Sequence, residues 1–138
     1  MSNLDEVKAL LDDCIRMQLS MPPEMVYADI RDIKEAWNGI GADSTPKKIR
    51  DILSRRFRVF APAALIHDFE YELILKTVRQ LGPAMGEPLR ELADDRFYAN
   101  MRACAESAAG AWNPRRYALL YDAFICWRTV RRLGRIKP

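Results

Sequence analysis

His67, the single histidine of this 138-residue chain, stands in "ALIHDFEY" with Asp68 directly after it and Tyr71 four positions on. On a helix His67 and Tyr71 share a face, while Asp68 points about 100° around. A second acidic pair, Asp94 and Asp95 of "ELADDRF", lies in the next helical segment. The loop between the two segments is short, which favours antiparallel neighbours and returns one of these aspartates to the level of His67. A carboxylate that accepts from one imidazole nitrogen fixes the tautomer and leaves the other nitrogen free to take a proton. His67 with Asp94 is therefore a minimal general base. The same pair also satisfies a buried imidazole that merely holds two helices in register, because a buried polar group needs a partner whether or not it does chemistry.

Other chemistries are restricted by what the chain lacks. One histidine rules out a metal centre built from several, including that of the metal-dependent HD-type phosphohydrolases, whose signature also contains adjacent His and Asp. Cys14, Cys104 and Cys126 are an odd number, far apart and without a CxxC, and are expected to be reduced, packed thiols of a cytosolic protein. The N-terminal "MSNLDEVKALLDDC" has no basic stretch leading into an apolar one, and nowhere do 18 uncharged apolar residues run together. A soluble, cytoplasmic protein is expected.

The net charge of +3 is unevenly spread: residues 1–46 carry nine acidic and four basic groups, residues 47–110 nine and eleven, and residues 111–138 one and seven. The C-terminal helix is the electropositive part. In it Arg128, Arg131, Arg132 and Arg135 fall at i, i+3, i+4 and i+7 beside Trp127, a stripe suited to nucleic-acid phosphates or an anionic membrane surface. The same arrangement serves as a solvated face complementing the helix C-terminal dipole.

The elements that must position these groups follow from apolar residues recurring at three- and four-residue intervals, with alternation only in the brief "FRVF" at 57–60. The pattern predicts an all-α, single compact domain of about five to six helices, with the His67 helix packed antiparallel to the Asp94 helix. A first helix is expected from about Asn3 to Leu19, its stripe formed by Leu4, Val7, Leu10, Leu11, Cys14, Ile15 and Leu19. A second starts near Pro23 and ends at "NGIG", where Gly39 and Gly41 suit a helix C-terminus. Ser44 or Thr45 before Pro46 opens a short third through "KKIRDILSRR". The fourth begins at "APAALIHDF" with Pro62 in its first turn and stops at Gly82-Pro83; the fifth covers about Glu87 to Ala108. The sixth is capped by Asn113, starts at Pro114 and runs to Gly134. Such a chain buries roughly two-thirds of the surface its unfolded form exposes. Tyr71, Phe97, Tyr98 and Met101 are expected in its core.

"APAALIHDFEY", "ELADDRFYANMRA" and "YALLYDAFICWRTVRRLG" together resemble a phage- and prophage-borne family of domains of unknown function. That family shares an A-A-x-x-H-D-x-x-Y helix, an A-D-x-x-F-x-x-x-M helix and a basic, aromatic last helix. The matching positions are Ala63, Ala64, His67, Asp68 and Tyr71, then Ala93, Asp94, Phe97 and Met101. The resemblance covers about residues 61–134, and "ADSTP" partly matches a D-x-x-S-x-P stretch of the family, so residues 44–138 form the family-like core and 1–43 two helices outside it. It implies phage proteins as partners.

The H-D-x-x-Y helix and its partner aspartate are also similar to the core of secreted phospholipase A2. That likeness implies a water activated by His67, an imidazole oriented by Asp94, a Tyr71 hydroxyl steadying that aspartate, and Asp68 binding calcium. Calcium takes six to eight oxygens, of which one aspartate supplies at most two. "RRFRVFAPA", before the histidine helix, has no glycine to build a carbonyl-lined loop, and "NGIGAD" lies well upstream. Three roles therefore stand at the level of sequence: a structural or interaction protein in a phage context, a lipid-ester hydrolase with a His67–Asp94 base, and a nucleic-acid-binding module using the last helix.

Overall fold

In the computed structural model, residues 4–37 and 47–133 are described, and every regular element among them is helical. The order is α1 (Leu4–Arg16), α2 (Pro23–Val26), α3 (Ile30–Ala36), α4 (Lys47–Arg55), α5 (Phe57–Leu81), a 3-10 turn (Pro83–Met85), α6 (Gly86–Ala108) and α7 (Pro114–Leu133). Gly39, Gly41, Ser44, Thr45, Pro46 and Arg135 lie outside the described residues.

The molecule is built around α5. From Val59 to Ile66 every residue of it is buried, which a helix tolerates only when neighbours surround it. Those neighbours are α1, α3, α4 and α6, and Ala61, Ala63 and Ala64 let them approach closely. At about 1.5 Å per residue its 25 residues span roughly 37 Å, so its N-terminal half forms the core and its C-terminal half is left to pair with α6. The α5–α6 pair is antiparallel, as expected. Val78 near the end of α5 lies against Gly86 at the start of α6, while His67, earlier in α5, meets Asp94 and Phe97, later in α6. Gly82 makes the reversal possible with φ of 102°, a conformation that L side chains rarely adopt. Helix α7 then packs on α6 through Leu119, Ala123, Cys126 and Val130, a buried stripe at i, i+4, i+7 and i+11.

Several boundaries differ from the sequence expectation, each for a local reason. The second expected helix is two short ones, because Asp29 interrupts it and caps α3, its Oδ1 accepting from Arg31 N at 2.8 Å. "FRVF" opens α5 ahead of the expected start at Ala61, so Pro62 sits well inside the helix instead of in its first turn. Burial of Val59 and Phe60, with Phe57 and Arg58 left exposed, supplies the tertiary packing that carries the helix through the local alternation. Ile15 is exposed rather than part of the α1 core stripe. That helix ends through Gln18 at φ 55°, with Leu19 N donating to Cys14 O at 3.0 Å, a closure usually given to glycine. Asn113 does cap α7, its Oδ1 accepting from Arg115 N at 3.0 Å.

Asn100 fastens the N-terminal segment to α6. Its Oδ1 accepts from Ser20 N and its Nδ2 donates to Ser20 O, both at 2.8 Å.

Candidate functional site

His67 and Tyr71 sit one turn apart on the face of α5 that meets α6, and Asp94 sits opposite them on α6. His67 Nε2 is 2.9 Å from Asp94 Oδ1, and the Tyr71 hydroxyl donates to the same oxygen at 2.6 Å. The imidazole lies between two rings, with centroids 4.3 Å from Phe97, nearly parallel, and 4.2 Å from Tyr71. These contacts leave the His67 side chain 11% exposed and that of Asp94 wholly buried. Of the two expected partners, Asp94 is the one that reaches His67. Asp95 faces α7, where it accepts from Trp127 Nε1 at 3.0 Å.

The second oxygen of Asp94 is taken by two residues that sequence reasoning did not connect to it. Arg90 Nη1 and Arg131 Nη1 each donate to Oδ2 at 3.2 Å. Arg90 also forks onto Glu87, with Nε to Oε2 and Nη2 to Oε1 both at 2.9 Å, and its Nη1 donates to Val130 O at 2.7 Å. It thereby closes carbonyls in the last turn of α7 with a positive charge, which the helix dipole favours at that end. Glu87, Arg90 and Asp94 at i, i+3 and i+7 on α6 are the signal that could have revealed this network.

The expected stripe of four arginines is thereby divided. Arg131 turns inward to Asp94 and Glu87, with 22% of its side chain exposed, because position 131 faces α6 while 128 and 132 face outward. Arg128 and Arg132 remain exposed, and Arg135 lies outside the described residues.

Electrostatics follow the geometry. Burial alone would raise the Asp94 carboxyl, but hydrogen bonds and charge from His67, with donors from Tyr71 and Arg131, hold it below the usual carboxylate range. Asp94 is therefore an anion with its roughly four acceptor positions all occupied. Burial, then the adjacent Asp94 charge, pushes the Tyr71 phenol well up, so it serves as a donor and not as a phenolate. With an anionic acceptor at Oδ1, Nε2 of His67 carries a proton, and in the neutral imidazole the lone pair is then at Nδ1.

Asp68 is half-buried beside His67. No group of three or more His, Cys, Asp or Glu side chains suited to a metal ion occurs among the described residues, so the calcium implied by the phospholipase likeness finds no side-chain donor set there. Cys14, Cys104 and Cys126 are free and buried, and burial pushes each thiol up to about 12. Tyr71 and Tyr98 are half-buried, and Phe97 and Met101 lie in the core. No helix among the described residues is long and apolar enough to cross a membrane. Compared with protein-family models, with curated proteins and with solved structures, the chain gives no match.

Proposed function

We propose that this is a small helical interaction protein of phage or prophage type, in which His67, Tyr71, Arg90 and Arg131 anchor Asp94 rather than process a substrate. The supporting observation is the saturation of one wholly buried carboxylate by four donors drawn from three helices. An aspartate whose task is to orient a catalytic imidazole needs one of those bonds. Tying α5 and α7 to α6 uses three of them, from His67, Tyr71 and Arg131, and the fourth donor, Arg90 on α6 itself, reaches α7 through Val130 O. The test is His67→Asn measured two ways. A structural imidazole lowers the melting temperature and alters no ester hydrolysis, the wild type having none to alter.

A second role, a lipid-ester hydrolase with His67 as base, draws on one specific feature. Nε2 is committed to Asp94, so the proton-accepting position of the neutral ring is Nδ1, on a side chain that keeps some solvent exposure. General-base assistance is worth roughly 10²–10⁴ in rate. In that case the wild type cleaves a phospholipid ester, and His67→Asn loses that factor while remaining folded.

A further inference from the structure

We propose that the outer face of α7 binds single-stranded nucleic acid. Tyr117 and Tyr121 stand one helical turn apart and are 68% and 64% exposed; Phe124 follows on the same side. Arg128 and Arg132 continue this ridge and are exposed. On one flank, Arg55 of α4 reaches Asp122 Oδ2 at 3.5 Å with its side chain still 57% exposed, which places a cation beside the Tyr121 turn. On the other flank Trp127 stacks on Tyr98, ring centroids 5.3 Å apart, with the Arg102 guanidinium 5.6 Å above the tyrosine.

The charge on this side is predominantly positive. Residues 47–58, which run through α4, packed on α7, into the start of α5, contain six basic residues and one acidic. Of the acidic groups that α7 meets, Asp122 is buried and paired with Arg55 and Arg56, Glu87, Glu91 and Asp94 pair with Arg131, and Asp95 accepts from the Trp127 indole. Such a surface is complementary to a polyanion.

The aromatic residues narrow the choice of polyanion. A duplex hides its base faces, whereas unpaired bases stack on exposed rings without regard to sequence, and successive turns of α7 offer rings at intervals of about 6 Å. An anionic membrane would want a continuous face of tryptophan, phenylalanine and leucine side chains to insert. The exposed large apolar residues of α7 among the described residues are two tyrosines and one phenylalanine exposed by only 36%, and the exposed Trp112 stands before the helix rather than on this ridge.

This assignment rests on the interaction role proposed above and names its partner. The test is fluorescence anisotropy of the full chain with fluorescein-labelled oligothymidylate, the corresponding duplex, and phosphatidylglycerol vesicles as competitor. With Arg55, Arg128 and Arg132 as phosphate contacts, log K against log salt should have a slope of about −2, or roughly 20-fold weaker binding between about 50 and 200 mM salt. Tyr121→Ala, at an exposed position, should weaken binding roughly 5- to 150-fold with an unchanged melting curve. Arg128→Ala with Arg132→Ala should flatten the salt slope by about 1.4. No binding, equal affinity for duplex, an unaltered Tyr121→Ala, or displacement by vesicles alone would overturn it. Any of these with His67→Asn still destabilising leaves the interaction role standing, whereas phospholipid hydrolysis lost in His67→Asn removes that role.

Discussion

Arg131 on α7 and Asp94 on α6, 37 positions apart, meet with Nη1 3.2 Å from Oδ2. A residue that its spacing places on a basic stripe is thus a partner of the most deeply buried charge in the described molecule. Arg131→Ala should therefore behave unlike its neighbours. Removing one donor from a buried carboxylate should cost about 1–3 kcal/mol, whereas Arg128→Ala, at an exposed position, should stay within about 0.5 kcal/mol. Urea denaturation of the two variants side by side checks the contrast.

Stability should depend on pH in two opposite ways. Asp94 is held below its ordinary range, so its contribution is present above the unfolded carboxylate value and disappears as pH falls through the lower, folded one. Glu70 runs the other way. Burial raises it from 4.5 to about 7, partly offset by Arg96, with Glu24 and Asp94 adding to the rise. Arg96 Nε is 2.9 Å from Glu70 Oε1, yet the two atoms are not aligned as a hydrogen bond and both are buried without one. Between about 4.5 and 7 the folded state binds more protons at Glu70 than the unfolded state does, so stability falls as pH rises through that window. Glu70→Gln should flatten the decline, which denaturant midpoints at pH 5, 6 and 7.5 would show.

The three cysteines should be silent in the native protein. Cys14 Sγ donates to Pro62 O at 3.3 Å, and all three thiols are buried and pushed up to about 12, so the thiolate that reacts is scarce and shielded. Alkylation by iodoacetamide at pH 8 should label none of them until denaturant is added. Mass spectrometry of the native protein would reveal any exception.

The helical class, the α5–α6 reversal at Gly82 and the meeting of His67 with Asp94 were legible because each rests on spacing within or across one short loop. The Asn113 cap was legible for the same reason. What escaped depends on contacts between distant segments. Arg90 is one member of an i, i+3, i+7 pattern on α6, but nothing local says that the end of α7 will cover it. Arg131 shares its spacing with Arg128 and Arg132 yet turns inward, because the azimuth of α7 is set by Leu119, Ala123, Cys126 and Val130 packing on α6. The break at Asp29 was hidden because the apolar pattern runs on across it while the capping bond does not. "FRVF" reads as alternating, and only the burial of Val59 and Phe60 at the start of the enclosed stretch of α5 shows it to be helical.

That Asp94 is a structural anchor is tested most directly by the unfolding free energy of Asp94→Asn. The amide keeps the shape but removes the charge, leaving Arg90 and Arg131 buried or half-buried without it and placing a donor group where donors already converge. A structural anchor predicts a loss of about 3–5 kcal/mol in denaturant melts. A loss below about 1 kcal/mol, with the variant folded as the wild type, would contradict it.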